Sequence, residues 1–132
     1  MQWTAGSNGG FSIDGVEPWL PLGDPDACNV ADQKQDPTSL LSLCRELIAA
    51  RRQHPDLIRG SYISVDAPPG VWVWERGRMT VAVNCSDRPV DSDIGSGVIL
   101  IGTTGEPNGR TVRGPLRLEP WEAILAERAD GA

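Results

Sequence analysis

Val71-Trp72-Val73-Trp74-Glu75-Arg76-Gly77-Arg78-Met79-Thr80-Val81-Ala82-Val83-Asn84 is the most informative run in the chain. Two β-rich segments flank Arg76-Gly77-Arg78, with glycine where a hairpin wants a positive φ. On the first segment Trp72 and Trp74 share one face, and Val71 and Val73 share the other. Both faces are apolar, which predicts an internal strand or a strand within a sandwich. Tyr62–Val65, Val98–Ile101, the neighbourhood of Val112, Leu116–Leu118 and Trp121–Ala126 add further short β segments, with Pro68-Pro69-Gly70 as a break. Strands of this length and spacing predict a mainly β fold, an antiparallel β-sandwich of Greek-key-like connectivity over residues 60–127. Trp72, Trp74 and Trp121 are expected to fill its small core. The polar tail 128–132 is expected to fray.

Upstream the texture changes. Leu40, Leu43, Cys44, Leu47 and Ile48 recur at helical spacing, so residues 38–54 read as one amphipathic helix. Asp36 is the expected N-cap, Pro37 suits the first turn, and Arg51 and Arg52 suit the last. Pro55 is expected to stop the helix. Cys44, on the apolar stripe, is expected as a small buried side chain. Residues 1–37 show no sustained period, yet they carry Trp3, Phe11, Val16, Trp19 and Leu20. That combination reads as an extended arm shaped to lie on something else, because a free linker would not carry such large apolar groups.

The chain has 132 residues, too few for a complete (β/α)8 barrel of about 250. Gly 15 and Pro 11 suit a many-turned β protein better than a helical bundle. A formal net charge of −6 argues against nucleic acid and against an anionic membrane surface. No apolar run approaches the ~18 residues of a membrane span. The first residues have neither a basic region nor an apolar stretch, so no signal peptide is expected and the cytoplasm is the default location.

Candidate chemistry is sparse. Gly6-Ser7-Asn8-Gly9-Gly10 lacks the strand, helix and lysine of a phosphate loop. Asp24/Asp26 and Asp91/Asp93 read as solvated turn acids, and Asp24-Pro25-Asp26 shows too few further oxygen ligands for calcium. Cys28, Cys44 and Cys85 match no metal spacing. His54, the single histidine, is a helix-end residue, and without it no Ser-His-Asp or Cys-His arrangement can form. No catalytic residue, no metal ligand and no cofactor are expected, and no substrate-binding residue is assigned from these motifs.

The order of segments resembles a known family. Met1-Gln2-Trp3, Gly10-Phe11-Ser12 and Glu17-Pro18-Trp19-Leu20-Pro21 look like the MQW…GFS…PWLP passage of α-glucosidases in the α-amylase superfamily, glycoside hydrolase family 13. The oligo-1,6-glucosidase and trehalose-synthase type is the nearest in character. The likeness continues through Asn29-Val30, Asp36-Pro37-Thr38-Ser39-Leu40, Leu47-Ile48-Ala49-Ala50-Arg51-Arg52, His54-Pro55 and Val81-Ala82-Val83-Asn84-Cys85-Ser86 to Leu118-Glu119-Pro120-Trp121-Glu122-Ala123. The resemblance implies that residues 1–37 come from the end of the catalytic-barrel region, that 38–54 are the last barrel-type helix and that 60–127 are the C-terminal β domain. Family members are retaining glycosidases, whose two carboxyls must lie about 5 Å apart on barrel strand ends. Those motifs lie upstream of the part matched, so no acid here takes a catalytic role.

The resemblance thus implies a non-catalytic C-terminal portion of an α-glucosidase-like enzyme, inactive alone, which packs on the catalytic barrel and stabilises it. The rival readings are a stand-alone carbohydrate-binding module, with exposed Trp72 or Trp121, and a docking subunit of a separately encoded barrel. The expected partners are that barrel, an oligosaccharide, or a second copy held through Leu40, Leu43, Leu47, Trp3, Phe11 and Trp19.

Overall fold

The fold is that of a computed structural model, described over residues 2–13, 15–16, 18–104 and 108–129. It divides into two compact units, residues 1–46 and 47–132. The helix expected at 38–54 runs from Leu40 to Gln53 and crosses that division.

The first unit is less bare than the sequence reading expects. A single-turn helix, α1 (Val30–Gln33), is capped by Asn29, whose Oδ1 accepts from the Asp32 N–H at 3.0 Å. Asn29 is buried, and its Nδ2 donates to the Pro25 carbonyl at 2.9 Å. Gln2 forms a parallel β-bridge with Asn29, and the Val30 and Ala31 N–H groups donate to the Gln2 and Trp3 carbonyls. The arm is therefore pinned at both ends, and Gly9 with its positive φ accepts from Trp3 N–H in the loop between.

The long helix α2 (Leu40–Gln53) begins later than Asp36 predicts. Ser39 is the cap: its Oγ accepts from the Ser42 N–H at 3.2 Å and its carbonyl takes the Leu43 N–H at 3.0 Å. Asp36 instead accepts from the Thr38 hydroxyl at 2.7 Å and the Thr38 N–H at 2.8 Å, closing a turn of its own. Those two bonds, the hydroxyl first, hold its carboxyl below the usual 3.8. The turn is accordingly fully stabilised above the ordinary carboxylate range and loosens as pH falls through the lowered value. α2 ends at Gln53, before Pro55, as expected. Pro55 opens a further single turn, α3 (Asp56–Arg59), because proline is tolerated where no N–H is required.

The second unit is a β-sandwich, as expected. One sheet has the order β1-β2-β3-β8-β5-β6, from β1 (Tyr62–Val65), β2 (Val71–Arg76), β3 (Met79–Asn84), β8 (Ala123–Arg128), β5 (Gly97–Gly102) and β6 (Thr111–Val112). A ribbon of β4 (Val90–Asp93) and β7 (Pro115–Leu118) makes the second layer. Pairing is antiparallel throughout and nested: β4 pairs with β7 while their chain neighbours β3 and β8 pair together. That nesting is the Greek-key feature. A bulge between Ile99 and Ile101 shifts the β5–β8 register, so Ile99 faces Ala126 in the core while Ile101 pairs with Leu125.

The core lies between the layers: Val73, Ala82, Ile99, Leu116, Leu118 and Ile124 are its buried centre. The tryptophan expectation is overturned. Trp72 and Trp121 are exposed and Trp74 is half-buried, because β2 turns its valine face inward and its indole face outward. Trp121 is not in a strand; it sits in the turn before β8. Cys44 is exposed on α2 rather than buried, since its stripe has no covering layer among the described residues of its unit. Arg128, expected at the start of a frayed tail, ends β8, with an ion pair to Glu75 at 2.7 Å and a bond to the Gly77 carbonyl at 3.0 Å. Residues 130–132 lie outside the described residues, as do Met1 and Glu17 of the family motif.

One polar side chain ties this unit together. Arg76 donates to the carbonyls of Leu57 (3.3 Å), Ile58 (3.5 Å) and Gly60 (3.2 and 3.1 Å), satisfying the free C-terminal carbonyls of α3. Thr80, by contrast, is buried with its hydroxyl unpaired in the centre of the sheet. Thr80→Val removes an orphan donor while nearly keeping the shape, so it is expected to raise unfolding stability by about 1 kcal/mol. A urea midpoint that falls would show that the hydroxyl has a partner in solution.

Candidate functional site

The acids singled out in the sequence do not converge. Asp24 Oδ1 accepts from the Asp26 and Ala27 N–H groups at 3.0 and 3.1 Å, an Asx turn, and Asp26 Oδ1 accepts from Gly6 N–H at 3.3 Å. Asp91 and Asp93 stand on the solvent side of β4, and Asp93 accepts from Gly95 N–H at 2.9 Å. His54 follows α2, its N–H donating to the Ala50 carbonyl at 2.9 Å. Among the described residues no three His, Cys, Asp or Glu side chains group as a metal site. No described helix is long and apolar enough to cross a membrane.

What the chain offers instead is surface. In the first unit an apolar trough of about 690 Å³ is lined by Phe11, Val16, Pro18, Trp19, Leu20 and Leu22. Trp19 is 90% exposed, and Trp3 and Phe11 are exposed as well. Along α2, Leu40 is 69% exposed and Leu47 and Ile48 are exposed, while Leu43 is half-buried. Large side chains laid out in this way cost free energy in water, at about 25 cal/mol per Å² of apolar area left uncovered.

In the second unit the indoles of Trp72 and Trp74 pack on each other with centroids 4.5 Å apart and planes tilted by 40°. Trp72 is 52% exposed. A second concavity, of about 440 Å³, opens over Ile99 and Ile124 and is rimmed by Thr104, Arg117, Glu119 and Glu122. Glu122 is buried, and both its oxygens are used: Oε1 accepts from Thr104 Oγ1 at 2.8 Å and Oε2 from Glu119 N–H at 2.7 Å. Its role is to hold the turn. Sequence reasoning placed Trp121 in a strand and so missed its turn; Pro120 before it is the signal that could have found it.

No protein-family model matches the chain. Curated relatives do. The chain is 31% identical over 137 aligned positions to the oligo-1,6-glucosidase of Halalkalibacterium halodurans, covering 93% of this chain and 24% of that protein. It is 39% identical over 79 positions to the probable oligo-1,6-glucosidase 2 of Bacillus subtilis, covering 58% and 14%. It is 40% identical over 68 positions to the trehalose synthase/amylase TreS of Mycobacterium tuberculosis, covering 47% and 11%. Among solved structures, trehalulose synthase MutB from Pseudomonas mesoacidophila MX-45 superposes with a TM-score of 0.80 at 28% identity, over 96% of this chain and 24% of that one. The chain thus spans at most about a quarter of the length of these relatives. In sequence and in fold, it resembles the C-terminal region of α-glucosidases of the α-amylase superfamily, of the oligo-1,6-glucosidase and trehalose-synthase type.

Proposed function

We propose that the chain is the non-catalytic C-terminal portion of an α-glucosidase-like glycoside hydrolase. In that enzyme it packs on the catalytic (β/α)8 barrel and stabilises it, and alone it turns over no α-glucoside. The observation that carries this is one of extent. Nearly all of the chain matches, yet it matches only a quarter of each long relative. The exposed arm and helix stripe support the same reading, because apolar surface of that kind is shaped for a protein layer. The four segments 1–37, 38–54, 60–127 and 128–132 would then be barrel-end arm, last barrel helix, β domain and terminal residues. No residue of the chain is assigned to catalysis. Three free cysteines suit a reducing compartment, and we place the protein in the cytoplasm on that ground.

The test is an assay of the purified chain with isomaltose, maltose and an aryl α-glucoside. The expected rate equals that of the blank. Turnover that copurifies with the chain through successive columns would overturn the proposal.

A second reading, a docking or self-associating subunit, is favoured by the exposure of Trp3, Phe11, Trp19, Leu40 and Leu47 in the absence of a barrel. Sedimentation is expected to show concentration-dependent association, which the pair Trp19→Ser and Leu47→Glu weakens. A strict monomer at high concentration would count against it.

A further inference from the structure

Trp121 has φ +61, the single non-glycine residue among those described with a positive φ. That backbone region favours glycine, and a bulky side chain there costs strain. Such strain is ordinarily offset by what the side chain buries, yet Trp121 is 68% exposed. Core packing therefore does not account for an indole at this position.

The turn that presents it is rigid. Pro120 precedes it, and the Glu122 N–H closes the turn on the Glu119 carbonyl at 3.1 Å. The Trp121 N–H donates to the Ser86 carbonyl at 3.3 Å, and the Glu122 carbonyl accepts from the Asn84 N–H at 2.8 Å. The next residues after Ser86 are Asp87 and Arg88, both exposed. They form only a loose ion pair, 3.8 Å apart, with side chains more than four-fifths exposed, so both are free to turn to another ligand. This end of the sandwich is the opposite pole from the Gly77 hairpin, where Asp56 of α3 accepts from the Arg78 N–H at 2.8 Å. Helix α3 thus leaves the Trp121 turn open.

We propose that Trp121 is a carbohydrate platform of the β domain, stacking on one glucopyranose ring of an α-glucan oligosaccharide while Asp87 and Arg88 bond its hydroxyls. The identity of the sugar rests on the α-glucosidase reading above. The chemistry fits a neutral polyol. The C–H face of a pyranose is apolar and slightly positive, which suits the electron-rich face of an indole. A carboxylate and a guanidinium side by side supply acceptor and donor pairs for vicinal hydroxyls, and their charges cancel toward either an anion or a cation. A fixed aromatic pre-organised by its own backbone loses little freedom on binding.

The full chain is titrated with isomaltotriose and with maltotriose, by calorimetry and by tryptophan emission. The wild-type chain is expected to bind at least one of them saturably. Trp121→Gly keeps the left-handed turn without its strain, so its urea midpoint stays level or rises while affinity falls at least about tenfold. Trp121→Tyr keeps a ring and holds affinity within about threefold of the parent. No saturable signal with either sugar overturns the platform, and so does unchanged affinity in Trp121→Gly. Neither result touches the barrel-packing reading, which is tested by turnover.

Discussion

Asn84→Leu is expected to lower the unfolding stability of the β domain by about 3 kcal/mol or more, read as a fall in urea midpoint at unchanged slope. Asn84 is 0% exposed at the end of β3. Its Nδ2 donates to the carbonyls of Arg88 (2.7 Å), Glu119 (2.9 Å) and Leu118 (3.3 Å). Its Oδ1 accepts from Ser86 N–H at 3.0 Å and Ser86 Oγ at 2.7 Å. One side chain therefore joins the β3–β4 connection to the end of β7. Leucine is close in size, so the loss is of polar satisfaction: several buried backbone groups are left without partners. Asn84→Asp sharpens the test. A carboxylate set among those carbonyls is disfavoured in its charged form, so its folded pKa lies above the unfolded value. Stability of that variant then decreases as pH rises through the folded pKa and recovers on acidification. A variant at 84 that unfolds at the parental midpoint would remove Asn84 from this role.

Gly97→Ala is the second large effect expected, about 3 kcal/mol of destabilisation for one added methyl group. Gly97 opens β5, opposite Val112 on one side and Arg128 on the other. A Cβ there would stand 2.3 Å from the Glu127 carbonyl oxygen and 3.0 Å from its carbon. These are backbone atoms of β8, which cannot swing aside as a side chain would. Relief requires the β5–β8 pair to open at its end, next to the Arg128–Glu75 ion pair. The measurement is thermal unfolding alongside amide exchange of Glu127, opposite Val98, and of Ala129, whose N–H donates to the Ser96 carbonyl at 3.0 Å. An unchanged melting temperature with parental protection would contradict the close approach.

The β architecture was largely legible. Hairpin chemistry at Arg76-Gly77-Arg78 and alternating apolar residues in β2 and β3 are local signals, and Gly77 does take a positive φ of 57. Helix periodicity placed α2 to within about two residues at its start and one at its end. β4 was not legible, because Val90-Asp91-Ser92-Asp93 hides its alternation: the inward residue is a serine and the outward ones are acids. Ser39 as the cap in place of Asp36 was a choice between two good capping residues three apart, which only the backbone path decides. The family likeness was legible in motif order alone.

The sequence by itself determined the elements with local causes: where strands alternate, where a glycine turn reverses the chain and where an apolar stripe demands a helix. Only the tertiary structure decided which way each face points. Period-two alternation says that Trp72 and Trp74 oppose Val71 and Val73, but not which pair meets the second layer. The β4–β7 ribbon covers the valine side, and that choice put the indoles outside. It also left Trp121 in a strained turn facing solvent and gathered Asn84, Ser86 and Leu118 at one end. The Asn84 side-chain contacts there join residues as many as thirty-five positions apart, and no local pattern encodes them.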